Sequence, residues 1–118
     1  MKKMYIAILD EVPDFMTPTL VAHSVINAHI YFTTKFDESS SVYKDYMDWL
    51  DNSYKKVTIR VNRKEFNKIA DSGMSVWWGH ENATLNAEKS CAVILPMEDA
   101  ARPNVIRHAK MWKPNATT

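Results

Sequence analysis

The sequence predicts an α/β domain, and three observations carry that prediction. Two short runs, Tyr5 to Leu9 and Cys91 to Leu95, are wholly apolar, the pattern of strands covered on both faces. Between them, segments with the helical apolar period alternate with a segment in which apolar and polar residues alternate one by one. The chain, 118 residues with 46% hydrophobic and 25% charged, has the length of one domain and shows no linker or repeat, so residues 1–118 are read as a single unit.

Each element has a local reason. The first apolar run is a buried strand, closed by the acidic, proline-containing stretch Asp10 to Met16. Thr17 followed by Pro18 starts a helix, with the Thr hydroxyl placed to cap free amides and Pro losing no hydrogen bond in the first turn. That helix is expected to reach about Tyr31, with Val21, Val25, Ala28 and Phe32 as an apolar stripe that Ile26 and Ile30 widen. Ser39 to Ser41 offer caps for a second helix through Leu50, in which Val42, Tyr46 and Trp49 line one stripe. Val57, Ile59 and Val61 alternate with Lys56, Thr58 and Arg60 as a strand.

Asn62 to Glu65 match a capping box, with Val61 and Phe66 placed for a hydrophobic staple, and this short helix should stop near Gly73. Val76 to Trp78 form a third strand that sends Trp77 and Trp78 to opposite faces. Residues 79–90 read as a polar loop in which Ala83 to Leu85 are able to pair briefly. Cys91 to Leu95 form the fourth strand, ended by Pro96. After Pro103, Val105, Ala109 and Trp112 mark a terminal helix. The expectation is four strands with helices on both sides, a three-layer arrangement. In so short a chain, leftover apolar surface is most cheaply covered by a second copy, which points to a homodimer.

Composition excludes several function classes. The only glycines, Gly73 and Gly79, cannot build a dinucleotide fingerprint or a P-loop. A lone Cys91 forms no internal disulfide and no thiolate zinc cluster, and it opens an apolar strand, so it reads as a buried structural thiol. His23 and His29 fall on different faces of one helix, and no HExxH is present, so no metal site and no cofactor is expected. No apolar run spans a bilayer and the N-terminus is a poor signal peptide, which gives a cytoplasmic expectation.

Charge is balanced at a formal +1 but unevenly laid out. Acids dominate residues 37–51, whereas Lys55, Lys56, Arg60, Arg63 and Lys64 crowd the next stretch and are candidates to hold a phosphate backbone, or else form an ordinary solvated face. His23 and Asn27, spaced i to i+4, share a helix face and are able to orient a water or a carbonyl oxygen, or merely to bond at the surface. Thr19 sits at the helix mouth, where free amides favour an anion. His80 and Glu81, at the end of a strand, are candidates for proton exchange or simple surface residues.

The ordered strings KMYIAIL, TLVAHSVINAH, KKVTIRV, NRKEFNKIADSG, SCAVILP and VIRHAKMWK together resemble the type 2 peptidyl-tRNA hydrolase family, over nearly the whole chain. The resemblance implies a four-stranded mixed sheet, a dimer, and metal-independent cleavage of the ester between a peptide and the terminal ribose of tRNA. It also implies a water activated by polar groups near the start of the first helix, with basic residues holding the tRNA backbone. One alignment puts Thr19 and His23 near the family's Lys and Gln; a one-residue shift puts Leu20 and Ser24 there. An ungapped match to Pro96 sets Trp78, Gly79 and His80 over its Asp-Ala-Gly. Two readings follow: a peptidyl-tRNA hydrolase-like enzyme, or a non-catalytic protein on the same scaffold that recognises RNA or a protein partner.

Overall fold

The computed structural model describes residues 1–81 and 88–115. Strand β1 (Met4–Leu9) is buried along its whole length, which is what its unbroken apolar run requires. It lies between β2 (Lys56–Val61), parallel to it, and β4 (Glu88–Ile94), antiparallel to it. Strand β3 (Val76–Glu81) adds antiparallel to β4, and β5 (Lys110–Met111) adds antiparallel to β2, giving a mixed sheet in the order β3-β4-β1-β2-β5. The parallel pair needs a crossover, supplied by α1 (Thr17–Thr34) and α2 (Ser41–Asn52).

The sheet therefore has five strands and not the four expected. The terminal helix is confined to α4 (Asn104–Arg107), and the chain then turns onto the open edge of β2. There Ile59 faces Met111, Arg60 faces Lys110, and Trp112 N–H donates to Thr58 O at 2.9 Å. Main-chain pairing that satisfies an exposed strand edge outweighs another turn of helix at this point.

Adjacent tryptophans show how the layers are arranged. The Trp77 ring meets Tyr31 of α1, with centroids 5.3 Å apart, while the Trp78 ring meets Phe66 of α3 (Arg63–Ala70) at 5.2 Å. Neighbouring residues of a strand point to opposite faces, so α1 and α3 cover opposite faces of the sheet. Helix α2 rests on α1 through Phe32 and Tyr46, whose rings stack at 5.3 Å.

Several local expectations change in α1, where the stripe expected through Val21 and Val25 is carried by Leu20 and Ser24 instead. The helix continues to Thr34, and Thr17 is its first residue and not its cap. A 3-10 turn over Asp14–Met16 runs directly into it, and the Thr17 hydroxyl turns back to donate to Pro13 O at 3.2 Å. The face against the sheet carries Leu20, Ser24, Ala28 and Phe32, at i to i+4 spacing. Ile26 and Ile30 lie on the far side of the helix and stay 63% and 52% exposed, so they do not widen the buried stripe.

Ser40 caps α2, and Asn62 with Glu65 forms the reciprocal capping box of α3. Gly73 takes φ +80 just past α3, where a side chain would be strained. Gly79 to Glu81 and Glu88 to Ser90, expected in a loop, extend the β3–β4 hairpin instead, with a register shift between Gly79 and His80. Ladder bonds use main-chain groups, so polar side chains do not prevent them. Residues 83–85 lie outside the described residues. Among the described residues no helix is long and apolar enough to cross a membrane.

Candidate functional site

Gly79 is the position that brings α1 against β3. A Cβ built there would overlap Ser24 Oγ and would stand 3.1 Å from Ser24 Cβ and 3.3 Å from Cys91 Cβ. Without a side chain at residue 79, α1 closes on the strand with Ser24 fully buried at the contact. His23 and Asn27 flank Ser24 on the helix and so reach the rim of this contact. With Trp77, Trp78, Gly79 and His80 they line a cleft of about 240 Å3.

The cleft thus gathers three of the five residues that the sequence suggested for proton transfer or positioning: His23, Asn27 and His80. Thr19, one turn earlier on α1, is exposed and is not part of the lining. Glu81 pairs with Glu88 in the ladder, and its side chain lies outside the described residues. His29 is used elsewhere, its Nδ1 being 2.9 Å from the hydroxyl of Tyr46, whose pKa burial pushes up to about 12. No three His, Cys, Asp or Glu side chains converge among the described residues.

Main chain contributes as well. Leu95 N–H donates to Ser75 O at 2.9 Å, and the register pairs Val76 with Ile94. In an antiparallel ladder bonded and non-bonded pairs alternate, so Trp77 and Gly79 bond across to β4 while the N–H and C=O of Trp78 face the open edge of the sheet. Trp78 is among the residues that line the cleft, so the strand that carries His80 also carries this edge-facing donor. Residue chemistry alone does not single out Trp77, Trp78 and Gly79 for this site; only the resemblance sets Trp78 and Gly79 beside His80 there. The available signal was Gly79 itself, a glycine inside a strand pattern, which marks a close approach.

Beneath the cleft, Cys91 is fully buried, and burial pushes its thiol up to about 12, with a weak offsetting contact from the Ser24 hydroxyl. Such a thiol stays protonated and serves packing, in line with its reading from the sequence.

The basic candidates lie elsewhere. β2 is three strand positions from β3, about 14 Å across the sheet. Lys56 Nζ stands 3.5 Å from the centre of the Tyr54 ring and 5.2 Å from that of Trp49, and desolvation lowers its pKa. Arg63 makes a two-point pair with Glu11, at 2.6 and 3.0 Å. Arg60 bonds Asp14 at 3.0 Å and Lys113 O at 2.6 Å, and its guanidinium lies 5.0 Å from the Trp112 ring centre. Lys55 and Lys64 are exposed. Of the five, then, Lys56, Arg60 and Arg63 are engaged within the fold, and none lines the cleft.

One of these pairs ties down the C-terminal tail. Asp14 accepts the Asn115 N–H at 2.7 Å and the Arg60 guanidinium, and these bonds, Asn115 foremost, hold its carboxyl below the ordinary carboxylate range. A depressed carboxylate contributes stability above its unfolded pKa and loses it as pH falls through the lower folded value. The tail should therefore stay docked at neutral pH and loosen under acid, and Asp14→Asn should loosen it already at pH 7. Amide hydrogen exchange at residues 110–115 reads this out; equal protection in Asp14→Asn and the parent at pH 7 would refute it.

Compared with protein-family models and with curated proteins, the chain matches none.

Proposed function

We propose that the chain hydrolyses the ester joining a peptide to the terminal ribose of tRNA, at the cleft formed by His23, Asn27 and His80. The observation that carries this reading is the convergence of two imidazoles and a carboxamide around one small recess that Trp78 also lines, from a helix and a strand far apart in the chain. The order of elements and the strings that resemble type 2 peptidyl-tRNA hydrolases support it, with the two-residue β5 as an addition at the outer edge.

In this mechanism His80 takes a proton from a water held by His23 and Asn27 as the water oxygen adds to the ester carbonyl. Negative charge on the former carbonyl oxygen is met by the Trp78 N–H. Collapse breaks the bond between the acyl carbon and the ribose oxygen, and His80 returns its proton to that oxygen. The products are a free peptide carboxyl and a tRNA ending in a hydroxyl.

The test is release of peptide from peptidyl-tRNA by the purified protein. His80→Ala should slow it by about 10²–10⁴-fold, the usual worth of a general base, and His23→Ala should slow it less. No turnover above a buffer blank would refute the hydrolase reading.

A second reading has its own observation: two of the six residues lining the cleft are Trp77 and Trp78, bulk suited to holding a ligand. On that reading the protein binds RNA or a protein partner without turnover, with salt-sensitive affinity in the RNA case.

A further inference from the structure

We infer that the groove between α3 and the β3–β4 hairpin holds an unpaired nucleotide of single-stranded RNA, with its base stacked on Trp78 and its phosphate met by Lys89. The groove has a volume of about 350 Å3 and is walled by Arg63, Phe66, Asn67, Trp78, Glu88 and Lys89. It opens on the α3 side of the sheet, where the Trp78 ring lies. Trp78 also borders the His23 cleft, so the two recesses meet at one residue of the edge strand.

Three features suit a base. The indole is only partly buried, and Phe66 packs against it at 5.2 Å and 75°, which fixes its plane. Lys89 Nζ stands 4.9 Å from the ring centre, so a cation already occupies the position from which it would reach a phosphate as a base slides onto the ring. Asn67, exposed on α3, offers both a donor and an acceptor to a base edge.

Charge agrees with this occupant. Arg63 and Lys89 line the groove with a single acid, Glu88, which lies 3.5 Å from Arg63, itself also held by Glu11, and α3 carries the further exposed cations Lys64 and Lys68. A base reaches the indole only when it is out of a duplex. The choice of RNA rests on the hydrolase reading, whose substrate presents a single-stranded end.

Fluorescence anisotropy with a labelled single-stranded RNA hexamer at low salt tests the groove. Trp78→Leu should weaken binding about tenfold, a usual effect of losing one stacked base, and Trp78→Phe should keep most of it. Lys89→Glu, an exposed substitution that leaves the core intact, should weaken binding and flatten its salt dependence. The same hexamer in a duplex should bind less well. Failure of the parent protein to bind the hexamer, or binding by Trp78→Leu and Lys89→Glu as tight as the parent's, overturns the groove. Turnover of peptidyl-tRNA with unaffected hexamer binding in those variants would overturn the groove while leaving the hydrolase reading standing. Hexamer binding with no turnover would do the reverse.

Discussion

Trp49→Ala is expected to lower the free energy of unfolding by about 3–5 kcal/mol, the usual cost of removing a large buried aromatic. Trp49 is 1% exposed, stacks on Tyr54 at 5.4 Å and packs on Tyr46 at 5.3 Å. Its Nε1 donates to Lys55 O at 2.8 Å, and its own carbonyl accepts the amides of Ser53 and Tyr54. The residue therefore holds the turn from α2 into β2, including Tyr54 in its left-handed conformation at φ 65. A large fraction of a typical domain's stability would be lost. Urea unfolding measures this, with Trp49→Phe recovering the packing but not the hydrogen bond. A midpoint shared by Trp49→Ala and the parent would show that the indole carries no such weight.

Gly79→Ala should cost about 1–3 kcal/mol, the range for overpacking a tight contact. The new Cβ would enter the space of Ser24 Oγ, and the backbone of β3 has little freedom to retreat because Gly79 pairs with the buried Cys91. Ser24→Ala by itself should be nearly neutral, since Ser24 Oγ is buried without a strong hydrogen-bond partner. Combined, the two changes should be less harmful than Gly79→Ala alone, as the atom most directly struck is gone. Thermal unfolding of the four proteins gives the coupling directly. Strict additivity would mean that α1 and β3 are not held together at this point. Because the same contact sets His23 and Asn27 against His80, Gly79→Ala should also reduce whatever the cleft binds or turns over.

Much of the fold is legible locally. The capping box at Asn62, the apolar run of β1, the alternation in β2 and the opposed directions of Trp77 and Trp78 each depend on residues a few positions apart. Local sequence states those relations in full. The helical reading of Trp112 failed for the complementary reason. What lies opposite it is Thr58, on the open edge of a strand far away in the chain, and local periodicity carries no information about an unpaired edge. The outward-facing Ile26 was misplaced in the same way, since the face of α1 that turns inward is chosen by what it meets.

The candidate site divides similarly. The i to i+4 spacing alone places His23 beside Asn27, and strand position alone sends His80 toward an end of the sheet. That these residues share a cleft follows from the antiparallel hairpin and from a glycine contact that admits one helix to one strand. The basic run between Lys55 and Lys64 shows the converse: its charge is evident in the sequence, but Arg60 and Arg63 are matched to Asp14 and Glu11 only when the chain folds back. Gly73 and Gly79, the only glycines in the sequence, exclude phosphate-binding loops from the sequence alone. Tertiary structure gave one of them its positive task, because close packing between α1 and β3 leaves no volume there for a side chain.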